Sequence, residues 1–184
     1  MAKEHVAKWY HMLLYPDWLR RWQQKPGRFL AELVRPGMVA ADVGCGLGFY
    51  AVELARRVGE TGRVLAIDFQ PQMLSWAQRK SRREGVSECI EFVQCEVDDL
   101  KVSEEVDFCL SMWVVHEVPD RGRLFGQIRD MLKPGGRFLL AEPKFHVKKD
   151  EFEAICAEAE AAGLRRVGEP AVGLSFAVLW GRAG

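Results

Sequence analysis

The chain has 184 residues, 48% hydrophobic and 28% charged, a composition typical of a globular protein with a sizeable core and not of a disordered or fibrous one. Its 26 Lys and Arg residues balance 26 Asp and Glu residues, so no overall charge attracts it to nucleic acid or anionic lipid. The five cysteines are odd in number and lack the spacing of a zinc site, which predicts reduced thiols and no metal. Because no apolar run approaches the roughly 20 residues that span a bilayer and the first residues lack a signal-type apolar block, we expect a cytoplasmic protein without a membrane span.

Helical and strand-like patterns alternate along the chain. Helical pieces are predicted from His5 to about Val34, with breaks at Pro16 and Pro26-Gly27 and a stop at Arg35-Pro-Gly37. Further strands are predicted over 38–42, 63–68, 90–95, 106–111 and 137–142, and helices over 49–58, 71–84, 121–132 and 149–162. Segments 164–167 and 174–180 are expected to pair antiparallel. The alternation predicts an α/β, Rossmann-like doubly wound, mostly parallel sheet of about seven strands, with an antiparallel C-terminal strand and helices on both faces.

The most informative segment is Val39-Ala-Ala-Asp-Val-Gly-Cys-Gly-Leu-Gly-Phe-Tyr50, where a strand ends in an acid and three alternate glycines before a helix begins. Glycine lacks a Cβ atom, so a ligand can approach the main chain, and the first helical turn offers N–H groups. Ligands of such sheets bind at the carboxyl ends of the strands. The predicted strand ends carry these candidate residues: Asp42 and Gly44, Asp68, Cys95 and Glu96, Ser111 and Met112, and Glu142.

Five segments, in order, resemble the motifs of class I S-adenosylmethionine-dependent methyltransferases. They are Asp42-Val-Gly-Cys-Gly-Leu-Gly48, Ala66-Ile-Asp-Phe-Gln-Pro-Gln-Met-Leu74, Phe92-Val-Gln-Cys-Glu-Val-Asp-Asp-Leu100, Asp107-Phe-Cys-Leu-Ser-Met-Trp-Val-Val-His-Glu-Val-Pro119 and Leu132-Lys-Pro-Gly-Gly-Arg-Phe-Leu-Leu-Ala-Glu142. The resemblance covers residues 39–143 and is similar in type to small-molecule quinone, sterol and metalloid methyltransferases. It implies methyl transfer from S-adenosylmethionine to a small-molecule acceptor, with S-adenosylhomocysteine as product, by a monomer or homodimer without a nucleic-acid partner.

The resemblance assigns the methionine and ribose parts of the cofactor to two strand ends. Gly44, Gly46 and Gly48 are expected to lie against the methionine part, where a side chain would crowd the ligand, and Asp42 is expected to face its amino group. Asp68 is expected to bind both ribose hydroxyls, because two carboxylate oxygens match a vicinal diol. Capping of the next helix is the alternative for Asp68.

The same resemblance places the adenine beside the second and third strands. Phe69 and Met73 are expected to flank the ring, Glu96 to accept from its exocyclic amine, and the Val97 N–H to contact a ring nitrogen. Glu96 stands where the family usually has Asp, so Asp98 is an alternative for that contact, and a solvated surface acid is another interpretation of Glu96.

The resemblance places the reactive methyl group of the cofactor near the end of the fourth strand. Ser111 and Met112 are expected beneath the sulfonium, while Trp113, Val115 and His116 line the approach to the methyl group. Cys45 lies near the predicted cofactor, with simple packing as the alternative role.

Methyl transfer from an activated sulfonium requires mainly alignment of the nucleophile and exclusion of water, and a base helps only when the nucleophile carries a proton. His116 is predicted as this base, with packing on the sheet as the alternative. Tyr10 and Glu142 are further candidate catalytic groups, and Tyr50 and His146 are expected to face the substrate.

Two other functions remain as alternatives. A nicotinamide-dependent oxidoreductase would follow a GxGxxG pattern, whereas this chain has GxGxG followed by Phe49 and Tyr50. A non-catalytic scaffold or partner subunit that binds the methyl donor would keep the fold without turnover.

Residues 1–184 are expected to form a single domain, divided into a helical lid or cap (1–36), a cofactor-binding core (37–143) and a C-terminal helix with a β-hairpin (144–184). The leading segment is rich in aromatic residues at partly helical spacing, which suggests a lid over the methyl group, with burial against the helices as the alternative. These aromatics are Trp9, Tyr10, Tyr15, Trp18 and Trp22.

Overall fold

The computed structural model describes residues 17–182, which form strands and helices at nearly all predicted positions. The strands are β1 (Val39–Val43), β2 (Arg63–Asp68), β3 (Ile90–Gln94), β4 (Val106–Met112), β5 (Leu132–Pro143), β6 (Leu164–Gly168) and β7 (Ser175–Arg182). The helices are α1 (Asp17–Gln24), α2 (Pro26–Leu33), α3 (Phe49–Val58), α4 (Pro71–Arg83), α5 (Arg121–Met131) and α6 (Lys149–Ala161), with short 3-10 turns at Ser87–Cys89 and Val115–Glu117.

Within the described residues, seven strands form one sheet in the order β3-β2-β1-β4-β5-β7-β6. The neighbours among β1 to β5 are parallel, and β7 runs antiparallel to both β5 and β6. The predicted doubly wound α/β fold, with its antiparallel C-terminal strand, is therefore confirmed. Residues 133–136, between the predicted helix and the predicted strand 137–142, lie inside β5 as a bulge, since Val106 pairs with Leu132 while Phe108 pairs with Arg137.

Side chains alternate between the two faces of the sheet, as the strand period requires. Ala40 and Ala66 belong to an apolar cluster with residues of α2, α3 and α4. Ala41 and Leu65 belong to a second cluster with residues of α5 and α6. Because helices cover both faces, the central strands are apolar throughout and only their ends present polar groups.

The leading helices pack in two different ways. Phe29 of α2 is buried near Tyr50, with 6.4 Å between the ring centroids. Helix α1 is held instead by polar contacts, among them a 2.7 Å ion pair between Asp17 and Lys80. Trp18 and Trp22 are each 70% exposed, so burial against the helices, the alternative to a lid, does not hold for these two side chains. Trp9, Tyr10 and Tyr15 lie outside the described residues.

None of the helices in residues 17–182 is long and apolar enough to cross a membrane.

Candidate active site

The glycine-rich turn between β1 and α3 has a backbone that favours glycine. Gly44, Gly46 and Gly48 have φ angles of 74°, 52° and 79°, in the left-handed region. The N–H groups of Gly44 and Cys45 both donate to the carbonyl of Ile67, each at 2.9 Å, which ties the turn to β2. The turn is therefore a rigid feature at the carboxyl edge of the sheet.

Two of these glycines are also required by the packing of the protein itself. A Cβ atom on Gly44 would lie 2.4 Å from Cγ2 of Val114, and one on Gly48 would lie 2.8 Å from Cβ of Ala77. The sequence predicted that a side chain would crowd the ligand. The structure shows that at Gly44 and Gly48 it would first collide with neighbouring residues.

Asp68 holds the glycine-rich turn from the end of β2. Its Oδ2 accepts from the Gly46 N–H and its Oδ1 from the Gln70 N–H, both at 2.9 Å. Burial raises the pKa of Asp68, the hydrogen bonds from the Gln70, Gly46 and Phe69 N–H groups oppose this rise, and the charge of Glu117 adds to it. Gln70 is the residue directly before α4, so Asp68 also fixes the start of that helix through the Gln70 N–H.

Residues at the ends of β1 and β4 lie beneath the turn. Asp42 is buried and stands in register with Leu110, one position before Ser111. The Ser111 side chain is fully buried, and its Oγ has no hydrogen-bond partner within the described part of the chain. Met112, the last residue of β4, is also buried.

The predicted adenine side is open to solvent. Phe69 is partly exposed and Val97 is well exposed, whereas Met73 is buried. These apolar groups follow the ends of β2 and β3, where the sequence placed the adenine ring.

Both acids that compete for the adenine contact are in exposed ion pairs. Glu96 Oε1 lies 2.5 Å from Lys101 Nζ, and Asp98 Oδ2 lies 3.2 Å from Arg123. Exposed pairs of this kind contribute little to stability, so a ligand can displace either partner at small cost.

Trp113 begins an aromatic rim above the ends of β4 and β5. It has a φ angle of 62°, uncommon for a bulky residue, and its N–H donates to the Ala141 carbonyl at 2.8 Å. Its indole Nε1 donates to Ser175 Oγ at 2.9 Å, and its ring meets Phe145 edge-on with centroids 5.2 Å apart. Phe145 is 70% exposed, so this rim faces outward.

His116 and Glu142 form a short, mostly buried polar contact at this edge of the sheet. His116 Nδ1 lies 2.5 Å from Glu142 Oε2. Glu142 Oε1 accepts from the N–H groups of Val115 and His116 at 2.8 and 3.3 Å. Glu142 is fully buried, whereas His116 keeps 9% of its side chain exposed. The arrangement joins a buried carboxylate to an imidazole that reaches the surface of the site.

Comparison with known proteins identifies the family. Residues 41–140 match the methyltransferase domain family. The chain belongs to this family. The class I S-adenosylmethionine-dependent methyltransferase predicted from the sequence is thereby confirmed, with S-adenosylmethionine as its cofactor, and the nicotinamide alternative is withdrawn.

The methyltransferase is similar to proteins of several kinds. It is 34% identical over 108 residues to an arsenite methyltransferase of Halobacterium salinarum, covering 58% of this chain and 27% of that protein. It is 32% identical over 110 residues to the ubiquinone/menaquinone biosynthesis C-methyltransferase UbiE of Klebsiella pneumoniae, covering 59% of this chain and 44% of that protein. The chain therefore spans less than half the length of these two relatives.

A solved structure covers more of the methyltransferase. The crystal structure of an S-adenosylmethionine-dependent methyltransferase from Aquifex aeolicus superimposes with a TM-score of 0.84 at 26% identity, covering 95% of this chain and 98% of that one. The match extends the shared fold well beyond residues 41–140.

Some predicted residues of the methyltransferase do not meet at this edge. Tyr50 is buried and its hydroxyl donates to Gln24 Oε1 on α1, which favours a packing role for this side chain. Tyr10 lies outside the described residues. Burial, together with the charges of Asp42 and Asp68, raises the pKa of Cys45 well above its usual range, which favours the packing role for that thiol.

Other residues of the site were missed by the sequence analysis. Val114 packs over Gly44, and Phe145 and Ser175 complete the aromatic rim with Trp113. Phe145 could have been noticed in the sequence, because it is an aromatic residue directly before the candidate His146. No local pattern marks Val114 or Ser175, because their contacts come from distant strands.

We expect the stability of the methyltransferase to depend on pH through His116. Burial disfavours the imidazolium, but the hydrogen bond and charge of Glu142 and the charges of Glu117 and Glu151 outweigh burial and raise the pKa of His116 above its ordinary value of about 6.5. A raised pKa means that the folded state holds the proton more tightly than the unfolded state. The stabilisation is therefore complete below about pH 6.5 and is lost as the pH rises through the folded-state pKa.

Urea unfolding of the wild type and His116→Gln over this pH range measures the effect. The substitution should lower the free energy of unfolding more at about pH 6 than at about pH 9. A difference that does not change with pH would contradict a raised pKa.

Proposed function

We propose that this methyltransferase transfers a methyl group to a small-molecule acceptor that loses a proton in the reaction, and that His116 removes this proton. The observation that carries the proposal is the imidazole of His116, held by Glu142 just beyond the end of β4. His116 follows Val114, which packs over Gly44, by two residues. A histidine has an ordinary pKa near neutrality, so it can exchange a proton at physiological pH.

We propose that the cofactor lies across the carboxyl ends of β1 and β2. The backbone of Gly44, Gly46 and Gly48 lies against the methionine part of the cofactor, and Asp42 faces the amino group of that part. The two oxygens of Asp68 offer about four lone-pair sites, and the N–H groups of Gly46, Gln70 and Phe69 occupy up to three of them, so a site is left for a ribose hydroxyl.

The adenine then lies at the open side beyond β2 and β3. Phe69 and Val97 offer exposed apolar surface for the ring, and buried Met73 supports it from below. Glu96 can exchange its contact with Lys101 for the exocyclic amine, because that ion pair is exposed.

The bound cofactor supplies a methyl group already activated on a sulfonium. Ser111 and Met112 form the floor beneath it, while Trp113 and Phe145 cover the approach and limit access of water. His116 Nε2 takes the proton that the acceptor releases as its carbon, oxygen or nitrogen bonds to the methyl group. The products are the methylated acceptor, S-adenosylhomocysteine and a proton on His116.

The raised pKa values of the buried thiols favour a carbon or oxygen acceptor over a metalloid. Soft metalloid centres prefer thiolate ligands, but burial favours the protonated form of four of the five thiols. Cys45 and Cys109 are buried with pKa values well above the usual range, and burial raises the pKa of Cys95 to about 11 and that of Cys156 to about 12. Of the two named relatives, the similarity to UbiE is therefore the better guide to the acceptor.

We also propose a cytoplasmic location and a single methyltransferase domain, acting as a monomer or homodimer. All five cysteines are free thiols, as is typical of reducing compartments. The exposed Trp18 and Trp22 on α1 support the lid assignment of the leading segment.

The function is tested by incubating the protein with methyl-labelled S-adenosylmethionine and a panel of phenols, quinols, carbon acids and arsenite. Acceptor-dependent formation of S-adenosylhomocysteine is the expected result. Tight cofactor binding without turnover on any acceptor would instead favour the non-catalytic scaffold.

We expect Asp68→Asn to weaken S-adenosylmethionine binding by about 10- to 100-fold, because charge-assisted hydrogen bonds contribute about 1.5–3 kcal/mol. Isothermal titration calorimetry measures this change in Kd. Asp107→Asn is the matched control, since Asp107 also accepts a backbone N–H, from Val39, but lies at the amino end of β4. The ribose assignment fails if both variants bind the cofactor like the wild type.

A further inference from the structure

The contacts of Glu142 converge on one short turn. One carboxylate oxygen accepts from the N–H groups of Val115 and His116, and the other lies 2.5 Å from His116 Nδ1. The sequence predicted Glu142 as a catalytic group facing the substrate. Because the side chain is fully buried, it reaches the reaction only through His116.

Burial of this carboxylate is costly unless its charge is balanced. The nearby guanidinium of Arg121 is engaged with Glu158, at 2.7 Å. Among the described residues, the groups that hydrogen-bond to the Glu142 carboxylate are the N–H groups of Val115 and His116 and the His116 imidazole. These three hydrogen bonds compensate the burial of its charge. Such a pair at a strand end is typical of a functional site more than of a structural ion pair.

The geometry fixes the tautomer of His116. A carboxylate accepts hydrogen bonds and donates none, so the nitrogen that faces it must carry the hydrogen. Neutral His116 then has Nδ1–H toward Glu142 and a bare lone pair on Nε2. The Nε2 atom lies 3.9 Å from Glu117 Oε1, which also donates no hydrogen. No group in residues 17–182 donates a hydrogen bond to Nε2, so this nitrogen can accept a proton from another molecule.

We propose that Glu142 is a positioning residue that holds His116 in the Nδ1–H tautomer and directs Nε2 toward the acceptor. The proposal rests on the proposed role of His116 as the base. It adds that a buried carboxylate from β5 makes that imidazole a competent base and stabilises the imidazolium once the proton has moved.

The charged and titratable groups around His116 come from four elements. Glu142 lies on β5, Glu117 on the same turn as His116, His146 on the segment after β5, and Glu151 on α6. The His146 ring centroid lies 4.9 Å from that of His116. The carboxylates raise the pKa of His116 against the effect of burial, and Glu142 is the one bonded to the ring.

Glu142→Gln gives a sharp test, because two backbone N–H groups fix the orientation of the new amide. The amide oxygen must take the position of Oε1, which accepts from Val115 and His116, so the amide NH₂ faces Nδ1. The NH₂ group is a donor, so it turns Nδ1 into an acceptor and moves the hydrogen to Nε2. We expect kcat to fall by about 100-fold or more, with the Kd of S-adenosylmethionine nearly unchanged.

Glu117→Gln is the matched control, since Glu117 lies near the other ring nitrogen without a hydrogen bond to it. It should retain the tautomer and most of kcat. In the His116→Gln background, Glu142→Gln should cause little further loss, because the two residues act as one unit. Independent losses that multiply would contradict the proposal.

Nitrogen-15 NMR of the imidazoles reads the tautomer without any acceptor. The chain has four histidines, and the His116 signals are assigned by their loss in His116→Gln. The wild type should show Nδ1–H with a pKa above about 6.5, and Glu142→Gln should show Nε2–H with a lower pKa. The Nε2–H form in the wild type, or an unchanged tautomer and kcat in Glu142→Gln, would overturn the proposal.

The two hypotheses fail in distinguishable ways. If no acceptor is methylated, the proposed function fails, while the tautomer measured by NMR still decides the role of Glu142. If Glu142→Gln does not fold, the titration of wild-type His116 decides it, by the same tautomer and pKa criteria.

Discussion

His116→Gln is expected to lower kcat by about 10²- to 10⁴-fold, the range that a positioned general base contributes. The Kd of S-adenosylmethionine should stay nearly unchanged, because the proposed cofactor contacts lie on the glycine-rich turn and at the ends of β1 to β4, and the His116 side chain makes none of them. Steady-state kinetics with the methylated acceptor and calorimetry with the cofactor measure the two effects separately.

His146→Gln is the control for this prediction. His146 lies beside His116, but its ring has no carboxylate at hydrogen-bonding distance within the described residues. Its side chain is predicted to face the substrate but not to take the proton, so kcat should fall far less than in His116→Gln. Wild-type turnover by His116→Gln would remove His116 from the mechanism and favour its packing role on the sheet.

Gly44→Ala is expected to lower the free energy of unfolding by about 2–5 kcal/mol. About 1–2 kcal/mol comes from the left-handed backbone, which disfavours a Cβ atom. A further 1–3 kcal/mol, approximately, comes from overpacking, because the new Cβ would lie 2.4 and 2.7 Å from the two methyl carbons of Val114. Urea unfolding followed by circular dichroism measures the loss.

Gly85→Ala separates the two causes. Gly85 has a φ angle of 71°, close to the 74° of Gly44, but a Cβ atom there would meet nothing within 4 Å. Gly85→Ala should therefore lower the free energy of unfolding only by the cost of placing a Cβ atom on a left-handed backbone. Adding Val114→Ala to Gly44→Ala should relieve part of the overpacking. Equal losses for Gly44→Ala and Gly85→Ala would show that Val114 is not the cause.

These predictions concern one connected region. Val114 packs over the glycine-rich turn, and the next two residues, Val115 and His116, donate their N–H groups to Glu142. The proposed cofactor turn, the proposed base and its positioning residue are thus joined through one short segment after β4. A shift of the glycine-rich turn is expected to move His116 as well.

The order and type of the elements could be predicted from local patterns. The period of apolar residues, the acid and glycines after β1, and Pro71 at the start of α4 are features of neighbouring residues. The observed ends agree with the prediction within about two residues, as is usual for such boundaries, except at β5, which continues through the bulge at 133–136. Local hydrogen bonding and the period of buried residues determine these features. The motifs that indicate the family are also runs of neighbouring residues, so the family could be predicted from the sequence as well.

The partners of the site residues were decided by the tertiary structure. Glu142 meets His116 from 26 residues away, and Asp68 meets Gly46 from 22 residues away, because parallel strands bring their carboxyl ends to one edge. Tyr50 meets Gln24 of α1 from 26 residues away, because the packing of α3 against the leading helices buries its side chain. The sequence determined which groups reach the edge of the sheet, but strand register and helix packing determined which of them touch, and contacts between distant segments leave no periodic pattern in the chain.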